Sequence, residues 1–481
     1  MSDSGSDNAS IVLSRAFGWL LNAAYAALLL ALSPLLICRA VTQGKYRTGW
    51  SEKLLGRVPK LPPVEPRTQR YWFHAVSVGE VLLLRSILAE LQRREPSADV
   101  VISTTTSTGH AVAREKYPDV VVCYCPLDFT WAVNAAIRRL KPTRFVLVEL
   151  ELWPNIVVAM RRAGVSLSLI NGRLSEHSFR GYSKLKWLLR PLLQSFNRIA
   201  VQNDAYAERF LALGAAPEQI AITGSVKFDG IETRRDNDRT LALRDAFGIK
   251  PGERVFIAGS TQAPEEDIAI GAWQQARKAA PDLRLILVPR HKERFEEVAE
   301  WVTSSGLPLR RRSHCALIAR PAQQRAEGRK PASPRGSNSD TPDGLRRSAT
   351  NSHPILLLDT LGELSACWGL ADFAFVGGSL TNRGGQNMIE PAGYGAAVCF
   401  GPNTRNFRET VEALLANDAA TVVTDSDSLA TTLADWLANP MATAAMGHRA
   451  QQFVVSQRGA TAKTVDGLRG EESSDSQRYA A

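Results

Sequence analysis

Glu80 ends the run HAVSVGE (residues 74–80), in which a strand-like apolar segment meets a Ser-x-Gly turn. A carboxylate there falls in the first turn of the next helix, where the helix dipole favours negative charge. With Gly79 leaving its approach open, the same carboxylate can take a proton from a hydroxyl. Glu149 and Glu151 stand two apart at the end of RFVLVELE, and strand alternation would point them the same way; an ion pair with Arg173 is the structural alternative. Lys227, in GSVKFD, lies between the two halves of the chain and by type alone is a surface lysine. Arg290 follows Pro289 at a strand end in VPRHKERF, where a guanidinium fork matches phosphate oxygens. His291 beside it reads equally well as an ordinary surface histidine. The densest signal is Ala371–Phe407, ADFAFVGGSLTNRGGQNMIEPAGYGAAVCFGPNTRNF. Its spacing predicts strand, glycine-rich turn, helix, strand and loop. The glycines at 377, 378, 384 and 385 let the backbone approach a ligand. A helix opening near Asn387, with Glu390 in its first turn, would offer unpaired N–H groups to an anion. For Glu390 a capping carboxylate is the alternative. The whole unit suits a phosphate and a ribose.

The elements that must position these residues alternate strand and helix from Tyr71 onward. Strands YWFHAV, ADVVIS, VVVCYC, RFVLVELE, SLSLIN, RIAVQN and IAITG are separated by helical stretches. The pattern restarts near Glu253 with RVFIAG, LRLILVP and HPILLLD and runs into the glycine-rich unit. Continuous apolar strands alternating with helices predict parallel sheets covered on both faces. The reading is α/β: two doubly wound, Rossmann-like domains, 71–230 and 231–460, with a cleft between them and ligands at the carboxyl ends of the strands.

Residues 1–15 read as a polar, disordered N-terminus. Residues 16–38 carry 23 positions without a charge, and as a helix would reach roughly 34 Å, enough to cross a bilayer core. Arg39, Lys45, Arg47, Lys53 and Arg57 follow, a bias that places the C-terminal bulk in the cytoplasm. An in-plane helix and a cleaved signal peptide are the other readings of this segment. Residues 39–70 form a basic, Pro-rich linker. Residues 310–353 read as a disordered insertion and 461–481 as a polar tail. The net charge of +10 over 481 residues favours acidic partners such as phosphates or anionic lipid. The insertion lacks aromatics, which argues against a nucleic-acid partner. The basic stretch 177–198 reads as a surface helix that can steer toward anionic lipid. Six scattered cysteines lack metal-type spacing and fit a reduced compartment; for Cys123 and Cys125 packing, redox and metal roles stay open.

Taken together, HAVSVGE, VELELWPN, GSVKFD, VPRHKERF, LGEL, ADFAFVGGSLTNRGGQNMIEP and GPNTRNF resemble the 3-deoxy-D-manno-octulosonic acid (Kdo) transferases of lipopolysaccharide synthesis. The resemblance runs from the N-terminal anchor to about residue 455 and leaves 310–353 unmatched. It implies a GT-B fold and transfer of Kdo from CMP-Kdo to a lipid A precursor, with inversion and with no cofactor or metal. It implies Glu80 as general base, Glu149 as transition-state support with Glu151 behind it, and Lys227 as a cation on the leaving phosphate. On the donor side it implies Ser260, Thr261, Pro289 and Arg290 near the phosphate or the Kdo carboxylate. Leu361, Gly362 and Glu363 would touch cytidine and ribose, and Asn387, Met388, Ile389 and Glu390 would form the other half. Two positions depart from the family pattern: Gln262 and Gln386 stand where it usually has histidine. The competing readings are a GT-B enzyme using a UDP-sugar and a lipid acceptor, or a catalytically inactive nucleotide-binding protein at the membrane.

Overall fold

The computed structural model describes residues 14–43, 48–315 and 353–470. The chain divides into two compact units: residues 1–230 with 457–481, and residues 231–456.

The first unit is built on seven parallel strands: β1 (Arg70–His74), β2 (Asp99–Thr104), β3 (Val121–Tyr124), β4 (Arg144–Val148), β5 (Ser166–Gly172), β6 (Arg198–Val201) and β7 (Ile220–Ile222). Their order is β3-β2-β1-β4-β5-β6-β7. All five residues of β1 are buried, as an apolar strand covered by helices on both faces requires. The order reverses between β1 and β4, and that crevice is where ligands bind in such sheets. The helix Val78–Arg94 leaves β1 under a complete capping box, with Ser77 as cap and Glu80 as its reciprocal partner. Such a cap stabilises a helix by about 1 kcal/mol.

The second unit repeats the scheme with β8 (Val255–Thr261), β9 (Arg284–Pro289), β10 (Leu309–Arg311), β11 (Ile355–Leu357), β12 (Phe373–Val376), β13 (Ala397–Phe400) and β14 (Ala420–Val422). The order is β10-β11-β9-β8-β12-β13-β14, again parallel, with the reversal between β8 and β12.

Four boundaries differ from expectation. The insertion does not begin at 310: Arg310 and Arg311 lie in β10, and Arg311 is fastened by Asp359 (2.7 Å) and Glu296 (2.8 Å). The rest of that segment, from 316 to 352, lies outside the described residues. Residues 460–469 are not a polar tail but a helix of the first unit, with Ala460, Val465 and Leu468 buried. Asp229 accepts from the N–H of Gly459 and Thr461, which fixes the start of that helix. Polar residues on its outer face masked the amphipathic stripe. The linker 39–70 is partly helical, at Trp50–Leu55, and supplies Arg70 to β1.

The fourth difference concerns the apolar N-terminal segment. It is a helix from Arg15 to Gln43, long and apolar enough to cross a membrane between Arg15 and Leu35. Its first turns are docked on the protein. Asn22 is buried; it donates to Thr130 Oγ1 at 2.7 Å and accepts from the Thr130 N–H at 3.0 Å. The Tyr25 hydroxyl donates to Asp128 at 3.1 Å. Burial pushes the Asp128 carboxyl up to about 7, against the N–H groups of Asn155 and Ile156 and the Tyr25 hydroxyl. Asn22 thus meets polar partners on the first unit, and Trp19, Leu20, Leu28, Leu30 and Leu35 form the exposed face. Of the N-terminus expected at 1–15, residues 1–13 lie outside the described residues.

Candidate active site

At the β1/β4 reversal of the first unit, Glu80, Glu149, Glu151, Arg173, Ser178 and Tyr182 line a cavity of about 130 Å3. Glu80 reaches it from its capping position. Its Oε1 accepts from the Ser77 hydroxyl at 2.8 Å and the Ser77 N–H at 3.2 Å, and its Oε2 accepts from the Val76 N–H at 2.8 Å. A carboxylate has about four acceptor positions, so Oε2 keeps one for an incoming hydroxyl. Burial raises the pKa of Glu80, the bonds from Ser77 and Val76 lower it, and the charges of Glu149 and Glu151 raise it. The helix-cap and proton-acceptor readings of this residue are therefore compatible in one side chain.

Glu149 and Glu151 share the cavity, though not through strand alternation. β4 ends at Val148, and Glu149 has φ 61°, the left-handed region that a non-glycine residue enters at a cost. The Asn171 amide, itself left-handed at φ 53°, donates to Glu149 at 3.4 Å. Burial raises the Glu151 carboxyl, with a further push from Glu149. Lys227 sits in the single turn Val226–Phe228. Although solvent-exposed, its ammonium is held below the ordinary lysine pKa by the surrounding protein, with Glu149 raising it and Arg173 lowering it.

In the second unit the expected donor residues gather at the carboxyl ends of the strands. Ser260 and Thr261 end β8, buried, with Ser260 at φ 57°. Pro289 ends β9, and the N–H of the exposed Arg290 donates to the Thr261 carbonyl at 3.0 Å. Asn387 donates to Glu390 at 3.1 Å and accepts from the Ile389 N–H at 3.1 Å. Burial raises the Glu390 carboxyl, while Asn387 and the charge of Arg290 lower it. Leu361 is 70% exposed at the turn after β11, next to Gly362 at φ 81°. Glu363 accepts from Thr360 and pairs with Arg312 at 3.0 Å.

One expectation for the glycine-rich unit needs correcting. The helix expected near Asn387 spans only Ile389–Gly393, so its dipole is small; Met388 and Ile389 are buried and offer backbone alone. In the glycine-rich turn the N–H groups of Gly378, Ser379 and Leu380 are taken from within the unit. The carboxylate of Glu265, fully buried, accepts from the N–H of Gln262 (2.9 Å), Gly378 (2.7 Å), Ser379 (3.0 Å) and Leu380 (3.0 Å). It ties the loop after β8 to the loop after β12. A Cβ on Gly377 would lie 2.6 Å from the Ser260 carbonyl oxygen, so only glycine permits this approach. Sequence reading missed Glu265; the signal available was a Glu pair opening the helix after a strand-end Ser-Thr. The same turn joins the two departures from the family pattern: a Cβ on Gly378 would lie 3.2 Å from Gln386 Nε2 and 3.5 Å from Gln262 Nε2.

Two Rossmann-like units, one with a carboxylate cavity and one with a loop-built strand-end site, are the architecture of the two-domain GT-B class. Comparison with known proteins agrees. The model of a family described as 3-deoxy-D-manno-octulosonic-acid transferase (kdotransferase) matches residues 48–230. The chain is 32% identical over 416 residues to a 3-deoxy-D-manno-octulosonic acid transferase of Bordetella pertussis, covering 84% of this chain and 87% of that protein. It is 29% identical over 455 residues to the protein of that description from Haemophilus influenzae, covering 92% and 97%. Among solved structures, UDP-GlcNAc 2-epimerase from Neisseria meningitidis matches at TM-score 0.52 and 10% identity, over 84% of this chain and 100% of that one, which is a likeness of fold. The chain belongs to the Kdo transferase family.

Proposed function

We propose that this protein transfers Kdo from CMP-Kdo to a lipid A precursor, lipid IVA, with inversion, at the cytoplasmic face of the inner membrane. The observation that carries the reading is the Glu80 carboxylate, set at the β1/β4 reversal in a cavity with Glu149 and Glu151 and kept by burial above its ordinary pKa. A sugar hydroxyl attacks only as its proton leaves, and a base of raised pKa is better matched to that transfer. In the proposed step the acceptor oxygen bonds to the Kdo anomeric carbon, Glu80 takes the hydroxyl proton, and the bond to the phosphate of CMP breaks. Arg290 and Lys227 balance the charge that develops on the departing CMP phosphate. Ser260 and Thr261 hold the phosphate or the Kdo carboxylate through hydroxyl and backbone groups. Leu361, Gly362, Glu363, Asn387 and Glu390 hold cytidine and its ribose, and Met388 and Ile389 contribute backbone. The apolar helix keeps the enzyme at the bilayer that contains its acceptor.

The test is purified full-length protein with CMP-Kdo and tetra-acylated lipid A precursor, the product counted by mass. Added Kdo, inhibition by CMP, and loss of transfer in Glu80→Ala are the expected results. Inhibition by UDP in place of CMP would move the assignment to a UDP-sugar donor. Undiminished transfer by Glu80→Ala would remove the proposed base.

A further inference from the structure

Two neighbouring strands of the first unit kink side by side. Val148 of β4 and Ile170 of β5 face each other in the sheet, and the residue after each is left-handed, Glu149 at φ 61° and Asn171 at φ 53°. The Glu149 N–H donates to the Ile170 carbonyl at 2.9 Å and keeps the two kinks together. Pairing of β5 with β6 is also irregular here, between Leu169 and Gly172. Asparagine is among the few residues other than glycine that enter the left-handed region readily. Asn171 does so fully buried.

A buried primary amide needs partners at both of its ends. Asn171 Nδ2 donates to Glu149 Oε1 at 3.4 Å, and Asn171 Oδ1 accepts from the Val226 N–H at 3.4 Å. These partners fix which way the amide faces, because a backbone N–H can only donate and an ionised carboxylate can only accept. The Asn171 carbonyl accepts from Gln202 Nε2 at 3.0 Å, which ties the residue to the end of β6 as well. One side chain thus joins the segment after β4 to the single turn Val226–Phe228, which carries Lys227. At 3.4 Å each bond is long, so what the amide supplies is direction more than stability. The joined groups act on each other: burial lowers the Lys227 pKa, the charge of Glu149 opposes that fall, and Arg173 adds to it.

We propose that Asn171 is a positioning residue for the transfer, its amide holding the Glu149 carboxylate and the turn that carries Lys227 in one register. This rests on the transfer reading, in which Lys227 balances the charge on the departing phosphate. Asn171 touches no substrate; it acts through the two groups that it spaces.

The test uses full-length protein. Asn171→Gly deletes the amide at a backbone conformation that glycine adopts freely. It is expected to lower kcat about 10–100-fold and to leave the donor KM nearly unchanged, the cost of misplacing groups that act in the transition state. In a Glu149→Gln background the same substitution should cost less than about 3-fold more, because the group it positions is already gone. Asn171→Asp keeps the size and the oxygen facing Val226 but sets a carboxyl against Glu149, and should lose at least as much activity as Asn171→Gly. A second readout needs no transfer: the Lys227 titration, followed by NMR after reductive methylation with a 13C label and assigned with Lys227→Arg. Asn171→Gly should move that titration to lower pH, as Glu149 is no longer held toward the ammonium. An unmoved Lys227 titration, wild-type kcat in Asn171→Asp, or full multiplication of the two losses in the double variant would overturn the proposal. A Lys227 titration that moves as expected in a protein that transfers no Kdo would support the Glu149–Lys227 link and count against the transfer reading alone.

Discussion

The two units share one topology and treat their strand ends in opposite ways. In the first, three carboxylates are crowded round a cavity of about 130 Å3, and burial with mutual repulsion raises Glu80 and Glu151. In the second, the buried carboxylate of Glu265 is satisfied by four N–H groups, and the exposed Arg290 stands at the neighbouring strand end. The first arrangement holds acids in a state that protonates readily. The second uses an acid as internal scaffold and leaves the cation to meet the ligand. A glycine-rich turn after a parallel strand is therefore no proof of a phosphate nest, because the chain can supply its own anion.

Glu80→Gln breaks the comparison most severely. The amide keeps the cap partly intact but cannot take a proton, so transfer should fall by about 10²–10⁴-fold while the melting temperature changes little; Glu80→Ala should add about 1 kcal/mol of destabilisation. Equal losses of stability and rate in both variants would mean that the residue only caps its helix. Glu265→Ala should cost about 3 kcal/mol in chemical unfolding, since four donors lose their acceptor, and should raise the KM for donor more than it lowers kcat. Glu265→Gln, which keeps one acceptor oxygen, should fall between. Arg290→Gln should raise the donor KM about 30-fold without moving stability, as one charge-assisted phosphate contact is lost. A KM that stays put there would separate Arg290 from the phosphate.

The pH dependence sharpens the contrast. A base works deprotonated, so transfer should fall on acidification through a pKa above the ordinary glutamate value. Glu151→Gln removes one repelling charge and should move that limb toward acid. Stability runs the other way. Between the ordinary and the raised pKa the folded state binds more protons than the unfolded one. The stability contributed by Glu80 and Glu151 is therefore full below the ordinary value and lost as pH rises through the raised one. The smallest effect is expected in the second unit, where Gln262→His or Gln386→His should give the donor KM a new dependence near pH 6.5, read from KM against pH.

The apolar strands, the restart of the pattern near Glu253 and the placement of Glu80, Ser260 and Arg290 just after or at strand ends were legible because each depends on local type and spacing. Apolar runs of this length bury wherever helices cover them. What only the tertiary structure decided are the matters that need a partner distant in sequence. β4 stops at Val148, so Glu149 enters the cavity through a left-handed backbone supported by Asn171. The N–H groups of Gly378–Leu380 belong to Glu265, more than a hundred residues earlier. Asn22 and Tyr25 meet Thr130 and Asp128, and Val465 and Leu468 return to the first unit. Sequence fixes which groups a residue offers; which of them stay available depends on what the fold brings against them, because a hydrogen-bonding or charged group is spent on the first partner that burial supplies.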